Sequence, residues 1–129
     1  MLKTFLYLSI LISLSDASSI KWVKTYQDAI NLSISKDKRV MLLITTPSCA
    51  WCKKLKSITF KDNTVIKAVN SDFISVELMQ KSNEVPPMFS VKRVPTTLFI
   101  SKNGDLIKKV AGYWNAEDFL SWLSDVKKL

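Results

Sequence analysis

Cys49 and Cys52 are the only cysteines of the chain, set three positions apart in the stretch TTPSCAWCKK with Ala50 and Trp51 between them. Such a pair can be a staple or a redox couple. As a staple it contributes little: a loop of four residues gives about 2 kcal/mol in the chain-entropy estimate, against about 4.7 for a loop of 100. Two thiols that always have each other within reach are better suited to opening and closing. If the motif opens a helix, Cys49 stands where unpaired backbone N–H groups and the helix dipole favour a thiolate, so its pKa is expected to be lowered and its sulfur reachable. Cys52, one turn further in, is expected to be shielded and to attack the mixed disulfide that Cys49 forms with a substrate, leaving a Cys49–Cys52 disulfide. Lys53 and Lys54 follow in the first turn, placed either to add positive potential at the sulfurs or to point into solvent.

The rest of the composition narrows the chemistry. There is no histidine, which removes Ser-His-Asp and Cys-His catalysis and every zinc or haem ligand set that contains histidine. Two cysteines cannot close a tetrahedral zinc site within one chain; a four-thiolate site bridging two chains stays open as an alternative. No cofactor and no metal are expected. Nineteen Lys and Arg face eleven Asp and Glu, a net charge of +8. The lysines are scattered, as at Lys21, Lys36, Lys61, Lys81 and Lys102, without the dense patch that nucleic acid requires. A solvated basic surface is the reading, with attraction to acidic proteins or anionic membranes left open and no nucleic-acid partner expected.

The elements that must position the thiols are legible along the chain. At 129 residues, 47% of them hydrophobic, one domain with one core is expected. Lys3 followed by FLYLSILISL is an apolar run too short for the roughly 20 residues of a spanning helix. Ser15 and Ala17 offer the small side chains of a cleavage site, so residues 1–17 read as a signal peptide and 18–129 as the domain. A buried N-terminal helix and an uncleaved anchor are the alternatives. Helical spacing of Val23, Tyr26, Ala29, Ile30 and Ile34 predicts a helix over 23–36. RVMLLITT predicts a strand apolar on both faces, in the middle of a covered sheet. After Pro47, the motif opens a helix with Ser48 as its candidate cap and Trp51, Leu55 and Ile58 on its apolar face. A shorter helix follows with Asp62 or Asn63 as cap, then FISVELM as a strand and EVPPMF as an irregular connection. PTTLFIS and DLIKKVAG flank Asn103-Gly104 as a hairpin. A closing helix from Asn115 presents Phe119, Leu120, Trp122, Leu123 and Val126 to the core. The expected fold is α/β, a mixed central sheet with parallel crossovers and a C-terminal antiparallel hairpin, flanked by helices on both faces.

This pattern resembles the thioredoxin superfamily over nearly all of the domain: VMLLITT, CAWC opening a helix, RVPTTLFI, KNGDLIKKVAG and the last amphipathic helix. The run CKKLKSITFKDNTVIKAVNSDFISVEL is similar to the secreted and periplasmic branch in which CxxC-K precedes a Phe-x-x-x-x-Val segment. The resemblance implies a thioredoxin-like fold and a cis Val94-Pro95 bond beside the cysteines. It also implies that Val94, Pro95 and Thr96, with Ala50 and Trp51, hold an extended substrate strand; taken alone, the residues fit a trans proline entering an edge strand. Thioredoxins carry a buried aspartate six residues before the first cysteine, and here Leu43 stands there. Their strongly oxidising relatives have a histidine between the cysteines, and Ala50-Trp51 supplies none. The expected function is therefore a periplasmic or secreted thiol-disulfide oxidoreductase, a reductant or mild exchanger. It would act as a monomer on protein thiols and disulfides, draw electrons from a membrane thiol-electron transporter, and touch the membrane only through its signal peptide. The alternatives are a disulfide oxidant or isomerase on the same fold, and a peptide-binding module without turnover. Trp51 has two readings, a lip for substrate or a side chain packed on Trp114 or the Pro86-Pro87 turn; Tyr113 and Trp114 are expected as core or rim packing, with an extension of that apolar surface as the alternative.

Overall fold

The computed structural model describes residues 19–129, so the expected signal peptide, residues 1–17, lies outside the described residues. RVMLLIT forms the strand on which the rest is assembled. With β1 (Trp22–Val23), α1 (Tyr26–Lys36), β2 (Arg39–Thr45), α2 (Ala50–Ser57), α3 (Asn63–Asp72), β3 (Phe73–Met79), β4 (Thr96–Ile100), β5 (Leu106–Ala111) and α4 (Ala116–Lys127), the order along the sheet is β1-β3-β2-β4-β5. β2 pairs in parallel with β3 and antiparallel with β4, so it lies at the centre and is covered on both faces. Val40, Leu42 and Ile44 pack with Ala29 of α1. Met41 and Leu43 pack on the opposite face with Leu55 of α2, Val65 and Val69 of α3, and Phe119 and Leu123 of α4. The mixed sheet between helices is as expected.

β1 was not expected, and it shortens the first helix. Trp22 and Val23 pair with Ser75 and Val76 of β3, and α1 starts only at Tyr26, where the Thr25 hydroxyl accepts the Asp28 N–H at 3.0 Å. The helix buries Ala29 and Ser33, while Ile34, part of the apolar spacing that predicted it, is 59% exposed. Asp37 ends α1 in the left-handed region at φ 51°, its N–H directed to the carbonyls of Ser33 and Ile34; Asp is among the few L-residues that tolerate this. Its carboxyl is held below the usual range by the hydrogen bond from Lys102 and the charge behind it.

Asp62 is the cap of α3, accepting the N–H groups of Thr64 and Val65 at 2.9 and 3.1 Å. Two donors lose their acceptor if it is truncated, so Asp62→Ala lowers the unfolding free energy by about 1 kcal/mol; urea denaturation reads this directly, with an unchanged slope. The hairpin turns at residues 101–105, where Gly104 takes φ 86°, a conformation glycine adopts without a Cβ penalty. Asn115 caps α4 through Asp118 N–H at 2.9 Å. That helix buries Phe119, Leu123 and Val126 fully, and Leu120 and Trp122 in part.

Candidate functional site

β2 delivers the chain to one pole of the sheet, and the cysteine motif begins as it leaves. Cys49 itself is the N-cap of α2: its Sγ accepts the Cys52 N–H at 3.1 Å. Ser48, the expected cap, is exposed and lies one position too early for a helix that begins at Ala50. The two sulfurs are joined in a disulfide, with Cα atoms 5.2 Å apart. Cys49 is half-buried and Cys52 is 1% exposed, so one sulfur can be approached from outside and its partner cannot.

α2 does not bury the face its spacing suggested. Trp51 is 57% and Ile58 54% exposed, and the inward residues are Cys52 and Leu55. α2 also stops at Ser57, where Thr59 enters a short 3-10 turn and gives its hydroxyl to the Trp114 carbonyl at 2.6 Å. That bond ties the end of the cysteine helix to the loop after β5.

Trp51 packs on Tyr113, with ring centroids 5.7 Å apart. The Lys54 ammonium lies 5.0 Å from the Trp51 ring centre and 4.8 Å from that of Tyr113, close enough for a cation–π contact with both. Trp114 faces elsewhere: it donates its indole N–H to the Ala111 carbonyl and meets Trp122 edge-on. Trp51, Tyr113, Val94 and Gly112 line an open cleft of about 330 Å³.

The Val94-Pro95 bond is cis. Pro95 is buried, and its carbonyl accepts the Gly112 N–H at 2.7 Å, joining the two loops that flank the cleft. Thr96 is buried at the start of β4 and gives its hydroxyl to the Arg93 carbonyl at 2.7 Å. Val94 is half-buried and Ala50 exposed, so both can be touched by a ligand. The fold thus brings Ala50, Trp51 and Val94 to one open surface with Cys49, and places Pro95 and Thr96 beneath it.

One polar group at this end was not singled out from the sequence. Glu77, on β3, pairs in register with Leu43. Its carboxylate accepts the Thr45 hydroxyl at 2.7 Å and meets the Lys56 ammonium at 2.9 Å. Lys56 lies one helical turn beyond Cys52 on the same face of α2. A charged, hydrogen-bonded cluster therefore lies under the cysteine helix, and the signal for it was a lone acid inside the apolar run FISVELM. Among the described residues there is no group of three or more His, Cys, Asp or Glu that could hold a metal ion.

Residues 26–127 match the family described as Thioredoxin-like domain. Over 101 residues the chain is 31% identical to the thiol:disulfide interchange protein DsbD of Actinobacillus pleuropneumoniae, an alignment that takes in 74% of this chain and 17% of that protein. It therefore spans about a sixth of that relative's length. Among solved structures it resembles a thioredoxin from Thermus thermophilus, with a TM-score of 0.74 and 21% identity over 84% of this chain and 88% of that one. It also resembles the C-terminal domain of Neisseria meningitidis DsbD in the oxidised form, with a TM-score of 0.64 and 19% identity over 77% and 90%. At these identities the two structures speak for the fold.

Proposed function

We propose, from the premise that this chain belongs to the thioredoxin-like domain family, that it is a thiol-disulfide oxidoreductase in which Cys49 attacks and Cys52 resolves. The observation that carries this is the asymmetry of the pair: a half-buried sulfur capping a helix, joined to one that is 1% exposed. In the reduced protein the free N–H groups at the start of α2 favour the Cys49 thiolate over its thiol. That thiolate attacks one sulfur of a substrate disulfide, forms a mixed disulfide and expels the other substrate sulfur as a thiolate. The Cys52 sulfur, as thiolate, then attacks the Cys49 sulfur, closes the Cys49–Cys52 disulfide and releases the second substrate thiol. Two electrons and two protons pass to the substrate, and the reverse sequence oxidises a dithiol.

The cleft beside the disulfide fits an extended chain. Val94 offers backbone for strand-like pairing, Ala50 and Trp51 form the opposite lip, and Pro95 and Thr96 hold the loop in place. Direction follows from what surrounds the sulfurs. With no histidine to stabilise the Cys49 thiolate from within the motif, the pair is a reductant or a mild exchanger. Equilibration with glutathione buffers measures this, and a value at the strongly oxidising end, near −120 mV, overturns it. The thiol:disulfide interchange in the name of the 31% identical relative supports thiols and disulfides as substrates; a membrane thiol-electron transporter as donor belongs to the same proposal. The apolar run ahead of Ala17 supports cleavage there, and hence a periplasmic or secreted domain, which we take to act as a monomer.

The test is a Cys52→Ser variant expressed in its own compartment. Without the resolving thiol, partners remain attached to Cys49 as mixed disulfides that a reducing agent releases, and mass spectrometry identifies them. If no adduct accumulates while the variant is folded and Cys49 is free, the exchange reading fails and a binding module remains.

A further inference from the structure

The pole opposite the cysteines carries a second feature that the redox chemistry does not use. A cleft of about 540 Å³ opens there, lined by Lys36, Lys38, Arg39, Lys102 and Lys127 with Asp37 and Asp72. These cations come from the end of α1, the start of β2, the β4–β5 turn and the end of α4, which the topology gathers at one end of the sheet. Asp37 is taken by Lys102 at 2.8 Å and Asp72 by Lys127 at 3.2 Å. Lys36 and Arg39 make no ion pair among the described residues, and half-buried Lys38 reaches only the Asn70 carbonyl. Lys21 and Lys128 add to the cations of this end and Asp105 and Asp125 to its acids, so the surplus stays positive.

The chain also enters the domain here. β1 runs parallel to β3, so Ser19 and Lys21 sit at the end where β3 begins. Asn70 of α3 fixes them, donating to the Ser19 carbonyl and accepting the Lys21 N–H, each at 2.9 Å. Only residues 15–18 separate Ser19 from the apolar run ending at Leu14, a reach of roughly 18 Å at most. If residues 1–17 are cut off, the new terminal ammonium adds a positive charge to this pole; if they are kept, the tether holds this pole against the bilayer.

We propose that this basic pole is a contact surface for the anionic phosphate headgroups of a phospholipid membrane. Charge complementarity and the point of chain entry both select this end. Docked in this way, the domain places the cysteines about the length of β2, ~23 Å, above the headgroups, where partner proteins and thiols carried on the extramembrane part of a donor can reach them. The contact is independent of the exchange chemistry, and either can fail while the other stands.

The experiment is vesicle cosedimentation of the purified protein at about 0.1 M salt, comparing phosphatidylglycerol-phosphatidylcholine vesicles with phosphatidylcholine alone. The wild type prefers the anionic vesicles. Lys36→Gln/Arg39→Gln lowers that preference about 25-fold, taking roughly fivefold for each cation near the surface, and Lys36→Glu/Arg39→Glu lowers it further. Both variants keep the wild-type urea midpoint, which shows that they fold. Lys81→Glu/Lys92→Glu, with the same change of net charge at the cysteine pole beyond the end of β3, keeps the preference. Equal loss in that control overturns the proposal, because overall charge would then suffice. So does a preference for anionic vesicles that millimolar inorganic phosphate abolishes at constant ionic strength, since the cleft would then serve a soluble phosphate.

Discussion

Cys49→Ser abolishes disulfide turnover: insulin reduction falls by on the order of a thousand-fold or more, to the rate of the chemical reductant alone. The size of the effect follows from the site. Exchange needs a sulfur nucleophile that is ionised at neutral pH and open to solvent, and of the two cysteines only Cys49 is half-buried, its sulfur accepting the Cys52 N–H at the start of α2. Serine at this position still caps the helix, because its hydroxyl accepts the same N–H; the loss is therefore one of chemistry, and thermal stability of the reduced protein stays close to wild type. Cys52, 1% exposed, cannot take over the attack. Alkylation of the reduced protein at neutral pH separates the roles. Cys49 reacts first and faster than a free thiol, and Cys49→Ser takes up reagent only slowly. Turnover retained in Cys49→Ser, or alkylation of Cys52 ahead of Cys49, refutes the assignment.

What could be read from the residues divides by how local the signal is. β2 was legible because a run apolar on both faces can only be a covered central strand, and its neighbours β3 and β4 bear that out. The cysteine motif opening a helix, the cap at Asp62, one of the two residues expected there, the closing helix starting at Asn115 and the Asn103-Gly104 turn depend on a few adjacent residues, and the structure has each of them. β1 was not legible: two residues carry no period, and only pairing with β3, some fifty positions away, makes them a strand. The buried side of α2 was misread because Trp51 and Ile58 look like core by residue type. Trp51 instead meets Tyr113 and Lys54, and Ile58 lies where α2 has already ended. The cap was misread for a chemical reason, since serine is the better acceptor in general but the backbone places the Cys49 sulfur at the Cys52 N–H. The Val94-Pro95 isomer was implied only by family likeness; the surrounding residues alone fit the trans form.

Leu43→Asp, which restores the family's aspartate at its usual place, destabilises this protein by about 3–5 kcal/mol at pH 7. Leu43 is 0% exposed and packs in the core between β2 and the helices, so the change removes apolar contact and buries a polar group. It also adds a second carboxyl directly across from Glu77 in the β2–β3 register. Glu77 already has the Lys56 ammonium at 2.9 Å and the Thr45 hydroxyl at 2.7 Å, so the newcomer shares one cation with an established anion. In this chain the acid stands on the neighbouring strand, and Leu43 is the apolar residue that leaves it room. Desolvation and the like charge both raise the introduced carboxyl's pKa above its unfolded value of about 3.9. A raised folded pKa means that the deficit is smallest below about pH 4, where the group is neutral in both states, and grows as pH rises through the folded value. Urea denaturation of Leu43→Asp and wild type from pH 4 to 8 measures this, and Leu43→Asp/Glu77→Gln recovers part of the loss at pH 7. A deficit that does not change with pH, or one that Glu77→Gln leaves untouched, shows that the two positions do not share an electrostatic site and that the cluster beneath α2 is not what makes leucine the residue at 43.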